Sequence, residues 1–111
     1  MTRMPAGWLS GLCDAVRAGR IEWKLHAVQR MLERSIRPED VVATLLQGEI
    51  VEEYPDDWPC PSCLFLGQGS PRPYHIVAGY DALERTVHII TAYEPDTERF
   101  ESDWRTRRAR P

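Results

Sequence analysis

The chain has no apolar run approaching the ~20 residues that a membrane span needs. Its N-terminus, Met1-Thr2-Arg3-Met4-Pro5-Ala6-Gly7-Trp8, lacks the apolar stretch of a signal peptide. A cytoplasmic location is therefore expected. The three cysteines are an odd count and argue against a disulfide framework. Lysine is nearly missing, since Lys24 is the single lysine among fourteen basic residues. Arginine is the better bidentate phosphate ligand, but a GC-rich genome raises arginine without any functional reason. Neither an internal repeat nor a domain linker is visible.

What is present suits one folded unit, and a single domain over residues 1–111 is expected. Hydrophobic residues make up 42%, too many for a disordered chain. The net charge of −3 hides an asymmetry. Residues 1–37 carry seven Lys/Arg against three Asp/Glu, residues 38–98 two against twelve, and residues 99–111 five against two. Two basic ends bracket an acidic middle.

Residues 8–18 place Trp8, Leu12, Ala15 and Val16 near helical spacing, with Gly19 as the C-cap. Leu25, Val28 and Leu32, with Ala27 and Met31 beside them, predict an amphipathic helix over roughly 22–35. A third helix starts with Pro38 at its first position and Glu39 and Asp40 at the positive end of its dipole. Val41, Val42, Leu45 and Leu46 form its buried stripe, and Gly48 supplies the left-handed stop. The period then changes from 3.6 to 2. Strands are expected at 49–55, 62–68, 74–81 and 86–95, with Ala82-Leu83-Glu84-Arg85 joining the last two. Residues 69–73 form a loop, and the Arg-rich tail at 97–111 is expected to begin as a helix and then fray. The expected fold is α+β, with two to three N-terminal helices (1–48) packed on a four-stranded antiparallel sheet (49–95).

Four groups of residues could carry chemistry. His26, Arg30, Glu33, Arg34 and Arg37 share one side of the second helix. A histidine above arginines can do acid/base work on a phosphodiester while the guanidinium groups hold the phosphate; an ordinary solvated helix face has the same pattern. His75 and Tyr93 fall near the open end of a hairpin. Counting outward from 82–85 sets His75 opposite residue 92, diagonal to Tyr93, and puts His88 on the face opposite Tyr93. Both aromatic residues could equally be half-buried sheet residues. Cys60-Pro61-Ser62-Cys63 is a C-x-x-C, but it precedes a strand of a meander instead of opening a helix, so a turn that happens to hold two cysteines explains it better. The acidic run Glu49, Glu52, Glu53, Asp56 and Asp57 does not converge, because Glu52 and Glu53 point to opposite faces of a strand; a charge-protected edge strand accounts for it. No metal or cofactor is expected.

W-K-L-H-A-V-Q-R-M-L-E-R-S-I running into G-E-I-V-E-E-Y-P-D-D-W-P-C-P-S, then C-L-F-L-G, R-P-Y-H-I-V and I-I-T-A-Y-E-P-D, resembles the DUF4258 family of small bacterial proteins over roughly residues 21–105. The resemblance implies a relationship to RelE- and MqsR-like toxins, a RelE-like fold, and a neighbouring antitoxin-like protein of the zinc-finger type. Such toxins cleave messenger RNA without a metal, using His, Arg, Lys and Tyr side chains. Carried over by residue, it points to His26, Arg30, Arg34, Tyr54 with Pro55 and Asp56, His75, and Tyr93 with Glu94 and Pro95. Ser35 stands where relatives commonly have Gly, and Cys60 where an aromatic is common.

Two functions are therefore expected as alternatives. One is a metal-independent endoribonuclease of a toxin–antitoxin system, with His26, Arg30, His75 and Tyr93 catalytic and Arg34, Arg37, Tyr54, Arg99 and Arg105 contacting RNA. Against it stands a pI of ≈ 5.6, low for an RNA binder. The other is a non-catalytic module that docks a protein partner through the edge strand 49–55 or the Arg-rich tail.

Overall fold

The computed structural model describes residues 3–47, 49–68, 73–95 and 97–108. In chain order these form α1 (Trp8–Arg17), β1 (Ile21–Trp23), α2 (Leu25–Arg34), α3 (Pro38–Gln47), β2 (Glu49–Tyr54), β3 (Ser62–Gly67), β4 (Tyr74–Asp81) and β5 (Thr86–Tyr93). Among the described residues no helix is long and apolar enough to cross a membrane.

The fold is α+β, but the sheet has five strands in the order β1-β5-β4-β3-β2, and β1 runs parallel to β5. The expected four-stranded antiparallel meander is thus corrected to a mixed sheet. The added strand was hidden inside the helix predicted over 22–35. Ile21 and Trp23 are half-buried while Glu22 is exposed, a period of two too short to register against the helical pattern that follows. Its pairing comes from β5, since Ile21, Glu22 and Trp23 sit opposite Val87, His88 and Ile89.

Local sequence explains the helix ends. In α1, Gly19 adopts φ +73, its N–H reaches Val16 O and that of Arg20 reaches Ala15 O, a Schellman stop as expected. At the end of α2, Ser35 takes the same left-handed position at φ 56, with Ile36 N–H on Met31 O. In α3, Asp40 accepts the backbone N–H of Arg37 at 2.9 Å, closing half of a capping box behind Pro38. The stop read at Gly48 and residues 69–72 of the predicted loop lie outside the described residues.

One cluster of buried side chains joins the three helices to one face of the sheet. It includes Leu12, Ala27, Met31, Val41, Leu45, Phe65, Ile76, Val87, Ile89 and Ala92. Trp8 stacks on Phe65 at 6.4 Å and meets the edge of Tyr80 at 6.5 Å. Burying each such large apolar side chain contributes roughly 1.5–3 kcal/mol. The buried stripe of α2 is narrower than expected: Ala27 and Met31 enter the core, whereas Leu25 and Leu32 are 72% and 76% exposed. The helix runs along β5 beyond the three residues that β1 pairs, where that strand is uncovered, so only one narrow side of it meets the core.

The other sheet face is covered at one end by residues 97–108. The expected helical start here is corrected. Asp103 accepts the N–H groups of Arg105 and Thr106, Trp104 turns at φ 61, and Phe100 bridges Arg107, so the segment folds back as a tight loop. These hydrogen bonds hold the Asp103 carboxyl down at about 2.

Candidate functional site

A bulge between Val77 and Ala78 sets the register of β4 against β5. Ala78 faces Ile89 and Val77 faces Thr91, which leaves Ile90 unopposed. His75 therefore lies directly across from Tyr93, where simple counting had placed it diagonally. The same bulge overturns the reading of His88. It pairs with Gly79 away from the helices, on the face that also carries Thr91 and Tyr93. His88 Nδ1 is 3.4 Å from Glu22 Oε2 but lacks hydrogen-bond alignment.

His75 is fully buried beneath the 97–108 segment. Its ring meets Tyr93 edge to face at 5.4 Å and Phe100 at 4.7 Å. His75 Nε2 is 2.8 Å from the carbonyl of Trp104. A carbonyl can only accept, so Nε2 carries the proton and Nδ1 is left with its lone pair, buried and unpartnered. Burial, assisted by Arg107, pushes the imidazole below its ordinary range despite the opposing Trp104 carbonyl and Glu52. His75 is a neutral, enclosed ring that carries the loop on one side and Tyr93 on the other.

Around it lies a polar network that the sequence reading assembled only in part. Arg107 donates Nε to Glu52 Oε2 at 2.5 Å and a terminal nitrogen to Oε1 at 2.9 Å. Tyr54 donates its hydroxyl to the same Glu52 at 2.5 Å. Arg107 also stacks over Phe100 at 4.7 Å. Arg105 forks onto Glu49 at 2.5 and 2.6 Å. The Arg107 bond holds Glu52 below the usual carboxylate range, and burial followed by the Glu52 bond raises Tyr54. Tyr93 is raised by burial, with Arg107 and Arg99 pulling the other way. Phe100, Trp104 and Arg107 were not anticipated, and Glu52 was expected only as part of a charge-protected edge strand. Arg105 and Arg107 are two apart in the tail, but Glu49 and Glu52 are three apart and share a face only through the irregularity at Val51, so local alternation did not mark the pairing.

The α2 stripe approaches the same face from the β5 edge. Exposed His26 brings Nε2 to 3.4 Å from Thr91 Oγ1, and Thr91 shares its face with Tyr93 one pleat further along. Arg34 reaches Glu94, beside Tyr93, at 3.5 Å. Arg30 sits between them on the helix and pairs with Glu33 at 3.5 Å. His26, Arg34, Tyr54, His75 and Tyr93 are thus gathered about one sheet face. Arg37 is not: it caps α3 through Asp40 and lies near Glu39. Arg105 is spent on Glu49 at the far edge.

Cys60 and Cys63 do not converge. Cys63 joins the helix-side core opposite Ala78, whereas Cys60 Sγ lies against Gly79 on the other face. Both thiols are free, and burial pushes Cys63 up to about 12. Among the described residues no three His, Cys, Asp or Glu side chains gather where a metal ion could sit.

A family model described as a domain of unknown function, DUF4258, matches residues 23–94, well over half of the chain. The chain belongs to the DUF4258 family. No curated protein and no solved structure matches it. The DUF4258 segment contains His26, Arg30, Arg34, Tyr54, His75 and Tyr93 and ends at Glu94. The loop that covers His75, with Phe100, Arg105 and Arg107, lies beyond it.

Proposed function

We propose that this DUF4258 protein is a toxin-like, metal-independent endoribonuclease that works in the cytoplasm and is held in check by an antitoxin-like protein, possessing a RelE-like site on a different sheet. The observation that carries this reading is the alignment of His26, Arg30 and Arg34 along the β5 edge beside Tyr93. His26 is the exposed member and takes the proton from a ribose 2′-hydroxyl as that oxygen attacks the adjacent phosphorus. The bond to the 5′ oxygen of the next nucleotide breaks, and that oxygen leaves with a proton from solvent. The products are a 2′,3′-cyclic phosphate and a 5′-hydroxyl.

Arg30 and Arg34 exchange their surface carboxylate partners for phosphate oxygens, a small cost because both pairs are solvent-exposed. Tyr93 offers a ring on which a base stacks. His75, enclosed and neutral, touches no substrate; it is a positioning residue that sets the Tyr93 ring. The acidic Glu33 and Glu94 beside the arginines limit RNA affinity, in keeping with the low pI.

The test is degradation of a labelled RNA by the purified chain in EDTA. The wild type cleaves, and His26→Ala loses about 100-fold or more of the rate. An unchanged rate in His26→Ala, or activity abolished by EDTA, refutes the assignment.

A further inference from the structure

Strand β2 is the outermost strand of the sheet, and its outer edge pairs with no other strand among the described residues. Alternate backbone N–H and C=O groups of such an edge point outward and can template another strand. On the helix side this edge borders a groove of about 630 Å³ between α1 and β2. Trp8, Leu9 and Met4 form its apolar wall, and Ile50 and Glu53 supply the β2 side. The bulge at Val51 brings these last two onto one face. Ile50 pairs with Phe65 and Glu53 with Cys63, so they sit one pleat apart.

Charge decides what can add here. A second copy of β2 would set Glu49, Glu52 and Glu53 against the same three acids, a repulsive arrangement. Glu49 and Glu52 are already matched, by Arg105 and Arg107 on the opposite face. Those two arginines, at alternate positions of one segment, show how a basic chain reads this strand. Glu53 points into the groove, is exposed, and has no ion-pair partner among the described residues. Arg17 on the helix wall is paired with Asp14 at 3.7 Å.

We propose that β2 and the α1–β2 groove bind an extended segment of a partner protein as a sixth strand, reading an apolar residue against Ile50 and an arginine or lysine two positions away against Glu53. Backbone hydrogen bonds to β2 supply affinity, and the two side-chain positions supply selectivity. The surface is separate from the His26–Tyr93 face, so the proposal stands or falls independently of RNA cleavage.

The probe is a short synthetic peptide in which threonine alternates with isoleucine and arginine, added to the full chain while the β2 amides and the Trp8 indole are followed by NMR. Saturable shifts confined to β2 and the groove are expected. Proline at the centre of the peptide should remove them, because it cannot complete the ladder. Replacing the peptide arginine by glutamate should weaken binding about tenfold, and Glu53→Lys should reverse that preference. Equal binding of the proline peptide, an unreversed preference in Glu53→Lys, or no shifts at millimolar peptide overturns the proposal. Glu53 is exposed, so its replacement does not threaten the fold.

Discussion

The imidazole of His75 donates its Nε2 proton to the carbonyl of Trp104, 2.8 Å away, and that bond links the C-terminal loop to the central strand of the sheet. The ring is fully buried and its proton affinity is lowered by burial. In the unfolded chain it titrates near its ordinary value of 6.5. Between the lowered folded value and 6.5 the unfolded chain therefore holds more protons, so stability rises with pH through that window and is lost as pH falls below about 6.5. Urea midpoints measured from about pH 7 to about pH 5 should decline in the wild type. In His75→Phe, which keeps an aromatic ring between Tyr93 and Phe100, the decline should be shallower; an identical slope would show that His75 is not its source.

The Arg107–Glu52 fork should govern how tightly the C-terminal loop closes. Both side chains keep some contact with water, so the pair adds at most about 1 kcal/mol to global stability. Its local effect is larger, because the same guanidinium covers Phe100. Arg107→Ala is expected to speed amide exchange across residues 100–108 while leaving β3 and β4 protected. Salt should speed exchange of the same amides in the wild type and add little in the variant. Uniformly raised exchange throughout the sheet would contradict this division.

Ser35 occupies a left-handed helix stop at φ 56, a conformation that favours glycine. Ser35→Gly should therefore stabilise the chain by up to about 1 kcal/mol, the relief of left-handed strain exceeding the added freedom of the unfolded backbone. Thermal unfolding reads this directly as a higher midpoint. A lower midpoint would mean that the serine side chain contributes more than its backbone costs.

The helices were legible because their signals are local. Pro38 with Asp40, Gly19 at a C-cap, and the apolar spacing in α1 and α3 act within a few residues of one another. Strands β2 to β5 announced themselves through alternation and turn residues in the same way. The separation of Glu52 from Glu53 across the strand was also readable, since the pleat alone requires it. The arginine at position 107 was visible only as one of a basic tail, because its partner Glu52 lies 55 residues away.

Three features needed the tertiary structure. Strand β1 is three residues long and exists because β5 offers it an edge. The bulge opposite Val77 moved His88 to the face of Tyr93 and His75 directly across from it, since one inserted residue reverses every later side chain. The buried or exposed state of each histidine followed from what came to lie over it. His75 was enclosed by a segment that carries no helical or strand period, and His26 stayed in water because α2 settled along a sheet edge. The sequence by itself thus determined an α+β chain of the DUF4258 kind, with its basic helices and acidic sheet. Only long-range pairing decided which of its histidines is enclosed and which stays in contact with solvent.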